Sequence, residues 1–212
     1  REGVKETLWL LQVRPLLLKY DELDSDAHTA GLRKLQEKIC DTDTKDEKVL
    51  GAGFMYGLMP DWNPAEVIGT RPRPLAFSLY QELITNEVWA RQRKAYGYRD
   101  VTKVPLMNSF GGQPFINVRA SLTSLIPADL EDDIAEKLMN FYQSKLRASP
   151  ELHDKLEFEV VFSCATVDIK KRLSALSNIG FRTSEINKIE MSLTKLTNNI
   201  IKNGGKFAED IA

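Results

Sequence analysis

The chain has 212 residues, with 29 Lys+Arg against 30 Asp+Glu and a formal charge of −1. Its 42% apolar and 28% charged residues are those of a globular protein able to bury a core, which excludes a disordered or collagen-like chain. Near-neutral charge removes the general pull toward nucleic acid or an anionic membrane, and no apolar run reaches the roughly 18 residues of a membrane helix.

The chain opens on Arg1, not Met, and soon enters Leu8-Trp9-Leu10-Leu11-Gln12-Val13-Arg14-Pro15. The apolar run stops too early for a secretory signal and reads as a strand. A strand must share its backbone donors and acceptors with a neighbour, and nothing precedes this one. The expectation is a piece of a longer polypeptide. Asp24, Ser25 or Asp26 then caps a helix to about Cys40, with Leu32, Leu35 and Ile39 at helical spacing. The charged residues Asp41 to Lys48 form a connector and the best boundary. Between Gly51 and Pro74 stand four glycines and four prolines, a density that demands specific turns instead of one long element.

A helix is expected from about Leu75 to Tyr96, its apolar face formed by Phe77, Tyr80, Ile84 and Val88 and its end set by Gly97. Short apolar runs at Val104 to Met107 and Phe115 to Val118 flank Gly111-Gly112 and predict a hairpin. Asp129 is expected to cap a helix whose stripe is Leu130, Ile134, Leu138 and Phe141, ending near Pro150. Glu131, Asp132 and Asp133 suit its first turn through the helix dipole. A strand-like run covers Leu156 to Ala165, and a short helix covers Lys170 to Ile179, ending at Gly180. A last helix from about Ser184 carries Ile186, Ile189, Leu193, Leu196 and Ile200 until Gly204-Gly205. The fold expected is α+β and helix-rich, with helices packed around a small antiparallel sheet or hairpin. Its organisation is a terminal strand over 1–20, a helix and charged linker over 21–48, and an α+β central domain over 49–212.

Chemistry-bearing residues are few. Cys40, Cys164, His28 and His153 are too few and too scattered for a zinc site or a disulfide framework. Both cysteines read as reduced thiols of a cytoplasmic protein, with Cys164 a small core residue. No Gly-x-Gly-x-x-Gly, phosphate-loop, His-Glu-x-x-His or Gly-x-Ser-x-Gly motif is present. Arg91, Arg93, Lys94, Arg99 and Arg119 stand among Trp89, Tyr96 and Tyr98, a mixture that single-strand binders use, yet a solvated helix face explains it better. Arg71 and Arg73 alternate around Pro72. In an extended backbone both would share a face and could clamp an anion or phosphate. The plainer alternative pairs them with Asp61, Glu66 or Glu82 while Trp62 fills the core.

The Gln12-x-Arg14-Pro15 strand resembles the closing strand of an ATP-grasp domain in phosphoenolpyruvate synthase and its relatives, which include pyruvate phosphate dikinase and rifampin phosphotransferase. The segment Gly57-Leu58-Met59-Pro60-Asp61-Trp62-Asn63-Pro64-Ala65-Glu66-Val67-Ile68-Gly69, leading into Arg71-Pro72-Arg73-Pro74-Leu75, resembles the stretch after the nucleotide domain in such proteins. Gly112-Gln113-Pro114-Phe115-Ile116-Asn117-Val118-Arg119 is similar to the strand before their phosphohistidine domain. The resemblance implies that Gln12 and Arg14 face ATP phosphates, where a guanidinium can stabilise charge developing in phosphoryl transfer. It also implies ATP and Mg²⁺ as cofactors of the parent protein. The partners implied are the remaining domains of that chain, ATP-grasp and phosphohistidine, with a homodimer open and neither nucleic acid nor membrane involved.

The family's phosphohistidine signature, Gly-Gly-x-x-Thr-Ser-His-x-Ala, is missing. Ala27-His28-Thr29-Ala30 keeps only His-x-Ala, and Asp24 and Asp26 beside it would repel phosphate. His28 is therefore not the phosphocarrier. The expectation is a non-catalytic fragment of an ATP-dependent phosphotransferase that moves phosphoryl through a histidine to pyruvate or another acceptor. The alternative, from a different class, is a stand-alone binding or interaction module.

Overall fold

The computed structural model describes residues 25–42, 48–51, 53, 56–57, 64–149 and 165–211. The opening strand with Gln12 and Arg14, the loop with Asp61, Trp62 and Asn63, and the run from Leu156 to Cys164 lie outside the described residues. So do His153 and residues 43–47 of the charged connector.

Helix α1 spans Ser25–Thr42 and leaves His28, Leu32 and Cys40 exposed. Its later turns approach the sheet, where Lys38 Nζ lies 6.0 Å from the Phe110 ring centroid. The sheet has three antiparallel strands in the order β1-β3-β2: β1 at Tyr56–Gly57, β2 at Met107–Phe110 and β3 at Gln113–Asn117. The expected hairpin is present, with Met107 opposite Ile116 and Phe110 opposite Gln113. Gly111 and Gly112 have φ of 59° and 79°, the paired left-handed conformation that a two-residue hairpin turn requires. Helix-rich α+β is thus the observed class.

The long helix expected over 75–96 is broken. Helix α2 (Pro64–Val67) is followed by α3 (Pro74–Tyr80), a π-turn at Gln81–Thr85, and α4 (Val88–Tyr96). The buried positions explain the interruption. Phe77, Tyr80 and Ile84 face the core with helical spacing, but Thr85 and Trp89 continue that face one residue out of step. The wider turn, with Asn86 N–H donating to Gln81 O at 2.8 Å, absorbs the extra residue and keeps both sets inward.

Gly97 ends α4 as expected, at φ 103°. The Tyr98 and Gly97 N–H groups donate to Arg93 O and Lys94 O, a glycine-dependent helix cap. A Cβ here would also lie 3.0 Å from Leu196 Cδ1, so glycine serves both the turn and the approach of the last helix.

Helix α5 (Val118–Thr123) begins directly after β3, with the Asn117 side chain accepting from Ala120 N–H as N-cap. Ala120 joins one core with Trp89, Val101, Leu106 and Ile116. Val118 and Leu122 join the other core, formed by α6 (Asp132–Ala148), α7 (Ile169–Ser174) and α8 (Thr183–Ile211). This short helix is therefore the wall shared by two cores. A 3₁₀ turn at Ala175–Ile179 extends α7 to Gly180.

Two expectations about helix ends are corrected. Asp129 is not the cap of α6: that position is Glu131, and the Asp129 carboxylate instead accepts from Ser192 Oγ at 2.6 Å and Lys195 Nζ at 2.8 Å. Helix α8 does not stop at Gly204-Gly205 but runs through both to Ile211. Each interior glycine costs about 0.5–1 kcal/mol relative to alanine, too little to end a helix already under way.

The start of α8 is fastened by a buried carboxylate. Glu185 accepts from the Arg182 backbone N–H at 2.7 Å, which closes the first turn, and from Lys137 Nζ on α6 at 2.8 Å. Lys137 also donates to Gly180 O and lies 4.4 Å from the Phe181 ring centroid. The Lys137 hydrogen bond, then the Arg182 N–H, hold the Glu185 carboxyl down at about 2, against 4.5 ordinarily. A depressed folded-state pKa stabilises the fold above the unfolded value and is lost as pH falls through the folded one. Glu185→Gln is therefore expected to lower Tm at neutral pH. Its deficit relative to the parent protein should narrow between about pH 4.5 and pH 2, followed by circular dichroism. A deficit independent of pH would show that charge at Glu185 does not fasten the helix.

Candidate functional site

Arg71 and Arg73 sit in the link from α2 to α3. Helix α2 ends with Ile68 N–H donating to Pro64 O, and Gly69 at φ 89° turns the chain away. Arg73 is extended at φ −68° and ψ 153° and precedes Pro74, whose fixed φ suits the first helical position. Both arginine side chains are exposed. Among the described residues neither guanidinium has an ion pair or hydrogen bond. Glu66 does not pair with them, and Glu82 instead accepts from Asn86 Nδ2 at 3.3 Å. Two neighbouring cations with no counter-charge among the described residues can take an anionic group from outside.

The basic stretch of α4 is largely committed to structure, with Arg91 left exposed. Trp89 is fully buried and Tyr98 nearly so, so neither aromatic is free to stack a base. Arg93 lies over the Tyr98 ring at 5.7 Å. Lys94 pairs with Asp100 at 2.7 Å. Burial opposes ionisation of Asp100, but the Lys94 and Thr102 hydrogen bonds outweigh it and hold its pKa well below the ordinary value. Arg99 pairs with Asp132 at 2.7 Å and donates to Leu130 O at 2.6 Å. Arg119 belongs to another place altogether, donating through Nε and Nη2 to the carbonyls of Val49, Leu50 and Gly51.

A groove of about 1240 Å³ runs along α8, walled on the other side by residues 128–131. Two ion pairs cross it, Lys188 with Glu131 and Lys195 with Asp129. Lys188 Nζ donates to both oxygens of Glu131 at 2.6 and 2.7 Å. Burial would raise the Asp129 pKa, yet the Lys195 and Ser192 hydrogen bonds lower it below the ordinary carboxylate value. The hydrogen bond to Asp129 raises the Lys195 pKa in turn. Both groups stay charged at neutral pH, so neither can exchange a proton there as acid or base. The groove holds no thiol and no imidazole.

Among the described residues no group of three His, Cys, Asp or Glu could hold a metal ion, and no helix is long and apolar enough to cross a membrane. Sequence reading identified the arginine pair but not the groove. Its contacts join residues 57 to 66 positions apart, and no local spacing announces them. Compared with family models, curated proteins and solved structures, the chain matches none.

Proposed function

We propose that the chain is the central, non-catalytic portion of an ATP-dependent phosphotransferase similar to phosphoenolpyruvate synthase. In this reading it joins the end of an ATP-grasp unit to a phosphohistidine module. Gln12 and Arg14 meet ATP phosphates, Mg²⁺ neutralises their charge, and phosphoryl passes through a histidine outside this chain to pyruvate or another acceptor. The observation that carries the reading is the Arg71–Arg73 pair. Among the described residues it stands exposed and without counter-charge, in the segment that resembles the stretch following the family's nucleotide domain. A guanidinium binds phosphate oxygens through two parallel N–H bonds, so two of them suit a di- or triphosphate or a phosphorylated acceptor.

Alanine at both Arg71 and Arg73, in the longer polypeptide that contains this chain, tests the clamp. Each charge-assisted hydrogen bond contributes about 1.5–3 kcal/mol, so nucleotide or acceptor affinity should fall by more than about tenfold. Unchanged affinity would remove the clamp. The chain by itself is expected to show no ATP turnover, and hydrolysis at enzyme-like rates by it would contradict the non-catalytic role. The second reading, a stand-alone interaction module, is favoured by the groove along α8. It would gain if the source gene encoded no nucleotide domain upstream.

A further inference from the structure

We propose that residues 48–51 form a releasable strap across the two cores, and that Gln143 beneath it biases it toward opening while both cores stay folded. The strap lies outside every described helix and strand. Val49 is buried in the core around Trp89, while Leu50 packs against the core built by α6, α7 and α8. What holds it down comes from α5. Arg119 donates to the carbonyls of Val49, Leu50 and Gly51, and Thr123 Oγ1 accepts from Leu50 N–H at 3.1 Å. Lys48 adds an exposed bond to Thr102 O at 3.0 Å.

What lies under the strap favours release. Gly51 closes onto α6 at φ 84°, so tightly that a Cβ would lie 2.8 Å from Met139 Cγ and 3.0 Å from Gln143 Oε1. Gln143 is 1% exposed, and its Nε2 has no acceptor among the described residues. A buried amide without an acceptor has lost its water and gained no bond in return. The closed strap carries that penalty, and the open one sheds it as water reaches Gln143. Opposing effects thus meet on one short segment, which sets its opening below the free energy of global unfolding. Upstream support is slight. Along α1, Leu35 and Ile39 are half-buried and residues 26–34 are mostly exposed, so this helix adds little to keep the strap closed.

Hydrogen exchange of the full chain, at urea concentrations below the unfolding midpoint, reads the opening. Leu50 N–H should show at least about a hundredfold less protection than Leu193 N–H inside α8, with a smaller urea dependence. Glu185→Gln, which loosens the start of α8, should speed exchange at Leu193 and leave Leu50 unchanged. Gln143→Leu keeps a similar volume without the unpaired donor and should slow exchange at Leu50 by at least about tenfold. Gly51→Ala forces a side chain into the left-handed region against Met139. It should speed Leu50 exchange by at least about tenfold, with the helical circular dichroism retained. Leu50 exchanging only with Leu193, or responding equally to Glu185→Gln, overturns the proposal. So does faster exchange at Leu50 in Gln143→Leu, which would make Gln143 a group that holds the strap shut. A Gly51→Ala chain that does not fold also overturns it, because the cores would then depend on the closed strap. None of these readouts involves nucleotide, so they stand or fall apart from the phosphotransferase reading.

Discussion

Replacing Trp89 by alanine is expected to destabilise the fold by about 3–5 kcal/mol, the largest effect of any single substitution considered. The indole is fully buried at the first turn of α4, in the core with Val101, Leu106, Ile116 and Ala120. Truncation opens a cavity between the helix and the sheet that rigid neighbours cannot fill. Trp89→Phe should cost well under half as much. It keeps most of the buried surface and also removes the indole N–H, which lies buried with no hydrogen-bond acceptor among the described residues. Urea unfolding followed by circular dichroism measures both. A loss below about 1 kcal/mol for the alanine variant would mean that the indole does not hold this core together.

Arg119→Ala is expected to cost about 2–3 kcal/mol. The guanidinium donates to three successive carbonyls, at 3.0 Å to Val49 O, 3.1 Å to Leu50 O and 2.7 Å to Gly51 O. It thereby fixes residues 49–51 against α5, where Leu50 N–H also donates to Thr123 Oγ1. Without it those carbonyls lose their donor. Arg119→Lys should recover only part of the loss, since an ammonium lacks the planar fork that spans several acceptors. Chemical denaturation gives the magnitude. Hydrogen exchange at Leu50 locates the loosening, and unchanged protection there would contradict the assignment.

The fate of Arg119 shows why some of this fold is legible in the sequence and some is not. Local rules hold wherever one segment decides the outcome. Gly111-Gly112 makes the hairpin turn, Gly97 ends a helix, and Asp132 and Asp133 occupy the first turn of α6. They fail where a distant partner competes. Asp129 has the chemistry of a cap, but Lys195 and Ser192 on α8 take its carboxylate. Arg119 reads as one more surface cation until α5 brings it to carbonyls about seventy positions earlier. The π-turn is intermediate. The stripe through Phe77, Tyr80 and Ile84 is visible in the sequence, but the slip to Thr85 and Trp89 appears only when the buried face is known.

The same distinction governs the candidate site. Arg71 and Arg73 were legible because proline on either side of Arg73 restricts the local backbone, and the structure leaves both exposed, with no ion pair among the described residues. The groove along α8 arises from tertiary contacts alone. Its internally balanced ion pairs, partly exposed and screened by solvent, set the position of residues 128–131 without offering reactive groups. The reading we propose, a part that shapes and connects while other domains of a longer polypeptide carry the phosphoryl chemistry, rests on Arg71 and Arg73 and not on this groove.

Transfer of the γ-phosphoryl group of labelled ATP by the longer polypeptide containing this chain, with pyruvate and other acceptors offered in turn, tests that account most directly. The expected result is label passing from ATP to a protein histidine outside residues 1–212 and then to an acceptor, dependent on Mg²⁺. Label bound to this chain's own His28 or His153, or no transfer above spontaneous hydrolysis with any acceptor, would contradict it.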